Sequence, residues 1–336
     1  MTRSIGQRRW AVTGLGLALT VSLSACGGNL GGASGEGADF PDGNPISIYV
    51  GQEPGGSTDL IARALADGAT EDLGVAITVE NKPGANGTLA AQELAGDAAD
   101  GHTLMIFNGS LAYITPLAVS ESEAVDIADY EIITGLSQDD YILVSAASSD
   151  FATVDDLVDA GRTITYGTTG VGTGSQLSQA ALFAQADVTA TAVPFDGGSP
   201  TLTAVLGGQV DVGSIQLGEA MEQIRAGELN PIVTFAQERP SYLPDTPTAV
   251  EEGYDVEVQQ SRAVFAPKDT PQEVIDALRA SFQTVFDSEN YQRFNTDNQL
   301  TPNEVDGEEL REQWSTNLTT YEDMVEEFDI DMGGNQ

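Results

Sequence analysis

"VGQEPGGSTDLIARAL", residues 50–65, closes an apolar, β-branched run (Ile46, Ile48, Val50), turns through Gly55 and Gly56, and enters a helix at Ser57, Thr58 and Asp59. Strand, glycine turn, hydroxyl residues and helix in that order make one βα unit. The pattern recurs in "TITYGTTGVGTGSQLSQAALF" at 163–183, and in leaner form in "TLMIFNGSLAYITPL" at 103–117. From residue 44 onward short apolar runs alternate with helical segments. Strands are expected at 46–50, 76–80, 103–107, 130–135, 141–146, 163–167, 189–194, 210–215, 230–235 and 256–265. Leu310, Trp314, Leu318, Tyr321, Val325 and Phe328 fall at three- and four-residue steps and predict one amphipathic helix over 306–328. The result is an α/β protein with mostly parallel sheets.

The repeated joint has a chemistry of its own. The first N–H groups of a helix have no partner inside it, and the aligned peptide dipoles place about half a positive charge there. Glycine lets a ligand approach the backbone and Ser or Thr adds a hydroxyl, so such a joint suits an anion. Ordinary N-capping by Ser57 or Thr58 uses the same residues. Two glycine-hydroxyl joints in separate halves of the chain favour a site.

Absences narrow the anion. A phosphate loop needs a lysine in a G-x-x-x-x-G-K-[ST] pattern, and Lys82 and Lys268 are the only lysines. Gly170, Gly172 and Gly174 step by two, which is not the dinucleotide fingerprint. Small carboxylates fit better, since a few N–H groups and a hydroxyl satisfy both oxygens. His102, the single histidine, lies in "ADGHTLM" just before a strand and reads as a turn or packing residue rather than a base, and Cys26 is the single cysteine, so no Ser–His or Cys–His pair and no nitrogen- or sulfur-rich metal set is in view. No cofactor and no metal are expected. Carboxylate pairs, the tools of a secreted hydrolase, carry no information among 52 acidic residues.

Charge bounds the partners. The 336 residues carry 52 acidic and 13 basic side chains, a net charge of −39. Such a field repels nucleic acid and anionic lipid surfaces. The acids are dispersed, which reads as a solvated acidic skin whose self-repulsion salt screens.

The amino end reads as an export signal. Arg3, Arg8 and Arg9 precede an apolar run from Trp10 to Leu23, which is short for a membrane span, and "LSAC" follows, ending at Cys26. "LSAC" resembles the lipobox of bacterial lipoproteins, in which the cysteine is lipidated and becomes the first mature residue. Adjacent Arg8 and Arg9 also admit a twin-arginine route. The signal is expected over 1–25. A Gly-, Ser- and acid-rich tether, "GGNLGGASGEGADFPDG", follows the cysteine within 26–43.

Six stretches in order resemble the extracytoplasmic solute-binding proteins of tripartite tricarboxylate transporters, the TctC or Bug family. They are "PGGSTDLIARALA" (54–66), "VENKPGANGTLAAQELAGDAADGHTLM" (79–105), "YGTTGVGTGSQLSQAALF" (166–183), "VPFDGGSPTLTAVLGGQVDV" (193–212), "LPDTPTAVEEGY" (243–254) and "FAPKDTPQEVIDALRASF" (265–282). The resemblance implies a two-lobed periplasmic-binding-protein-like fold of type II, each lobe a mostly parallel sheet flanked by helices, with the ligand cleft between lobes. Lobe one would take 44–143 with 264–336, and lobe two 144–263. It also implies a monomer that is no enzyme, captures a di- or tricarboxylate or related acid, and hands it to a two-component membrane permease. A sensor presenting the same lobes to a signalling partner is the alternative. Ligand contacts carried over residue by residue are Gly56, Ser57, Thr58, Ser110, Thr169, Gly170, Thr173, Gly174 and Ser175, with Pro194 and Phe195 on the cleft wall and Gly197 and Ser199 nearby.

The chain departs from the family pattern in places. Phe195 stands where relatives often carry tyrosine, and His102 replaces a common tyrosine. Ile215 and Gln216 stand where an aspartate and asparagine are common, which disfavours a ligand whose ammonium needs a carboxylate partner.

Overall fold

Tyr130–Ala146 form one continuous strand of 17 residues, and its change of partner organises the molecule. The computed structural model describes residues 40–332; the expected signal, Cys26 and most of the tether lie outside the described residues. In chain order the first half runs β1 (Ile46–Val50), α1 (Ser57–Leu73), β2 (Ile77–Asn81), α2 (Thr88–Ala95), β3 (Thr103–Asn108), α3 (Ser110–Tyr113), α4 (Thr115–Ala118) and β4 (Tyr130–Ala146). The second runs α5 (Val154–Val158), β5 (Ile164–Thr168), α6 (Gly174–Gln185), β6 (Ala190–Pro194), α7 (Gly198–Leu206), β7 (Val212–Gln216), α8 (Leu217–Ala226) and β8 (Leu229–Thr234). The chain ends with β9 (Gln259–Pro267), α9 (Gln272–Phe286), α10 (Glu289–Asp297) and α11 (Gly307–Glu327).

The strands lie in the order β2-β1-β3-β9-β4-β7-β5-β6, with β8 also paired to β4. β1 is parallel to β2 and β3, and β5 is parallel to β6 and β7, as the βα rhythm requires. β9 runs antiparallel to β3 and β4, and β7 and β8 antiparallel to β4, so the sheet is mixed. β4 pairs with β9 from Tyr130 to Asp140 and with β7 from Tyr141 onward. One strand therefore joins the two halves of the sheet, changing partner at Asp140/Tyr141.

The sequence reading expects two strands, 130–135 and 141–146, where the chain has one. The polar interval Ser137–Gln138–Asp139–Asp140 reads as a break. It is instead strand, bent by register shifts near Ile132/Thr134 and Gly135/Ser137, and its Ser137 and Asp139 are buried because they bind the Arg262 side chain of β9.

α11 matches the periodicity over 306–328 to within one residue at each end. Its Leu310, Trp314 and Tyr321 are buried, and Leu318, Val325 and Phe328 pack partly buried against the same core. The Trp314 ring stacks on Phe265 of β9 with centroids 5.5 Å apart, and its Nε1 donates to Ser261 Oγ at 2.9 Å. The carboxy-terminal helix thus braces the strand that carries Arg262.

Asp211 ties β7 to β5. Its carboxylate accepts from both Arg162 nitrogens and from the amide and hydroxyl of Thr165. The Arg162 hydrogen bonds, outweighing burial and helped by Thr165, hold its pKa down at about 2. A carboxyl lowered in the folded state stabilises the protein above its unfolded pKa, and that contribution is lost as pH falls through about 2. Arg162 is half exposed, so screening reduces the worth of the pair to about 1 kcal/mol. Asp211→Asn is expected to lower stability by that amount at pH 7 in urea titrations, with the difference from wild type closing towards pH 2.

Candidate functional site

Ser57 and Thr58, from the start of α1, and Thr169 and Thr173, from the loop before α6, line one cavity. The two joints singled out in the sequence, more than a hundred residues apart, therefore converge. Gly56 lines the same cavity, joined by Asn86, Asn108, Gly197, Gly198, Gln216, Glu219 and Arg262 among others.

The other expected residues take different places. Ser110 supports rather than lines: its Oγ accepts from Asn86 Nδ2 at 3.2 Å. Ser175 is fully buried, accepts from the Thr169 amide at 3.1 Å and donates to the Ser214 carbonyl at 2.5 Å, so it fixes the loop. Gly174 opens α6 where a Cβ would press on the Tyr141 ring. Gly170, Pro194 and Phe195 line a second cavity of about 530 Å³ that shares Asn86 as a wall. Thr173 is an N-cap: its Oγ1 accepts from the Gln176 amide and donates to the Gly170 carbonyl, so its hydroxyl is already used. Gly197 lines the central cavity and Ser199 a neighbouring one. His102 packs on Phe40 with ring centroids 5.3 Å apart, as a packing residue should.

Arg262 organises the floor, and the sequence reading missed it. The side chain is 2% exposed and sits in β9 within "SRAVFAP". Its Nη2 donates to Ser57 Oγ at 2.6 Å and its Nε to Thr58 Oγ1 at 3.0 Å, while Nη1 reaches Ser137 Oγ at 3.2 Å and pairs with Asp139. Thr58 Oγ1 in turn donates to Asn108 Oδ1 at 3.1 Å. The sequence reading gave the carboxylate oxygens to N–H groups and a hydroxyl alone; the structure adds a guanidinium that orients both hydroxyls. Burial pushes the Asp139 carboxyl up, opposed by Arg262, Ser137 and the Thr301 amide. A lone arginine inside an apolar strand was the available signal, because a charge there must have a buried partner.

At the α1 start, Asp59 accepts from the Gly55 amide at 3.0 Å, from Arg63 and from Asn81. Burial works against its charge, but those three partners outweigh it and hold its pKa below the usual carboxylate range. The cap residue Gly56 offers no side chain, and the Ser57 amide donates across the cleft to Glu219 Oε1 at 2.7 Å. Gln216 and Ile215, read as removing the cleft carboxylate, leave one supplied by Glu219 instead. No spacing marks Glu219 among so many acids.

The cavity also concentrates unsatisfied groups. Gln52 Oε1, Gln216 Oε1 and Nε2, and Glu219 Oε2 are buried without a hydrogen-bond partner, four of the eight such side-chain atoms among the described residues. Folded proteins pair buried polar atoms almost always, so a cluster of exceptions marks a place made to meet something else.

A family model described as the tripartite tricarboxylate transporter family receptor matches residues 61–330. The chain belongs to that family. An Agrobacterium vitis UPF0065 protein, encoded in the TAR-I ttuE-ttuC' intergenic region, is 30% identical to this receptor over 246 residues, 72% of this chain and 71% of its own. MatC from Rhodopseudomonas palustris, solved with bound malate, is 27% identical with a TM-score of 0.77, over 84% of the receptor and 98% of MatC. A second R. palustris protein, solved with adipate, shares the fold at a TM-score of 0.80 and 24% identity, over 85% of this chain and 97% of its own. The receptor is a solute-binding protein of extracytoplasmic type rather than an enzyme. No helix among the described residues is long and apolar enough to cross a membrane.

Proposed function

We propose that this receptor captures a small di- or tricarboxylate, or a related organic acid, outside the cell and delivers it to a two-component membrane permease. One observation carries the reading: two helix starts without side-chain caps, at α1 and α7, and four unpartnered buried polar atoms meet in one cavity. Helix starts favour an anion without any lysine, and Gln216 Nε2 adds an unpartnered donor, while the unpartnered oxygens of Gln52 and Gln216 suit a hydroxyl on the same acid. The malate in MatC supports a carboxylate as that anion.

Two lobes, 44–143 with 264–336 and 144–263, close on the ligand. Only the closed state makes the contacts of both, so binding favours closure. Lipid on Cys26 holds the monomer at the membrane surface, with the acidic tether as the spacer and the export signal of 1–25 removed.

Calorimetry on the unlipidated protein tests this directly. Citrate, malate, succinate, tartrate, adipate, benzoate and amino acids are titrated in turn, and at least one acid is expected to bind at micromolar level. Heat from none of them overturns the reading.

A further inference from the structure

Glu219 lies where an anion belongs. It stands in the first turn of α8, yet its carboxylate reaches the start of α1, 162 residues away in sequence, and accepts the Ser57 amide at 2.7 Å. The same carboxylate lies against Gly198, the first residue of α7, so closely that a Cβ there would overlap it. Gly197 before it has φ of +114°, a conformation that glycine adopts without strain. Neither α1 nor α7 has a side-chain cap of its own. Gln216, 4% exposed, aims both amide atoms into the cavity without a partner.

Space gives an independent argument. The free volume of the cavity is about 40 Å³, against ~300 Å³ or more in ordinary ligand sites. A dicarboxylate therefore enters only if a side chain leaves. Glu219 has somewhere to go: it also lines a neighbouring cavity of about 290 Å³, with Ser199, Gln223 and the exposed Glu222.

Resting on the carboxylate-capture reading, we infer that Glu219 is a tethered competitor for the ligand's carboxylate seat at Ser57 and thereby determines specificity. A tethered group competes at high effective concentration. Acids that bring one anchoring group fail to displace it, and acids that bring two or more succeed. Ligand carboxylate replaces the Glu219 carboxylate on the Ser57 amide, and Glu219 turns into the neighbouring cavity.

The test compares wild type, Glu219→Ala and Glu219→Gln by calorimetry with malate, succinate, citrate and acetate, and follows Ser57 amide exchange by NMR before any acid is added. Glu219→Ala is expected to bind the dicarboxylates about 10- to 100-fold more tightly, to bind acetate detectably, and to exchange the Ser57 proton faster. Glu219→Gln, which keeps the shape without the charge, is expected to fall between. Ser57→Pro deletes the shared donor at a first helical position, after a Gly56 whose extended backbone accepts a following proline. In the Glu219→Ala background it is expected to cancel the gain.

Dicarboxylate affinity that is equal or weaker in Glu219→Ala overturns the competition and makes Glu219 a ligand contact. Unchanged Ser57 exchange overturns it as well. Failure of every variant to bind any acid, with the exchange difference present, overturns carboxylate capture itself and the competition with it.

Discussion

Arg262→Ala is expected to destabilise the receptor by about 3–5 kcal/mol, because it strands the Asp139 carboxylate in a buried site without a countercharge. Asp139 is 1% exposed, and of its partners only Arg262 carries a compensating charge. Denaturant titration checks the loss. The penalty should shrink as pH is lowered, since burial raises the Asp139 carboxyl, further still without Arg262, and folding gains from its proton uptake. Arg262→Met with Asp139→Asn is the informative companion. No charge is then buried, and the asparagine oxygen still accepts the Thr301 amide that Asp139 accepts at 2.8 Å. Most of the stability should return, whereas carboxylate affinity should stay reduced, because Ser57 and Thr58 have lost the guanidinium that orients their hydroxyls. Recovery of both together would show that the pair serves the fold alone.

Trp314→Ala is expected to cost a similar 3–5 kcal/mol, the usual price of emptying a fully buried indole. The ring is 1% exposed, stacks on Phe265 and meets Tyr113 edge-on. Trp314→Phe should retain most of the stacking and lose the Nε1–Ser261 hydrogen bond, for a loss of about 1–2 kcal/mol. Thermal unfolding separates the two variants. Since Ser261 precedes Arg262 in β9, a drop in carboxylate affinity in Trp314→Phe would reveal how far α11 positions the cavity floor.

The βα rhythm was legible because parallel strands are short and apolar and their helices carry a 3.6-residue face; β1, β3, β5 and α11 all fall within a residue or so of their expected bounds. Glycine turns followed by hydroxyl residues marked Ser57 and Thr173 as helix starts, a local property that neighbouring residues suffice to express. Local pattern does not say whether a hydroxyl will cap its own helix or face outward. Thr173 caps, and Ser57 turns to Arg262 instead.

Sequence alone determined the element order, the helix starts and the family likeness, because periodicity, turn chemistry and motif order are written along the chain. Tertiary structure decided the rest. It joined two expected strands into β4, placed Arg262 under Ser57 and Thr58, and carried Glu219 across the cleft to the Ser57 amide. Those contacts span 162 to 205 residues. A charge buried by such long-range packing finds its partner in space, and nothing beside it in the chain records which partner that will be.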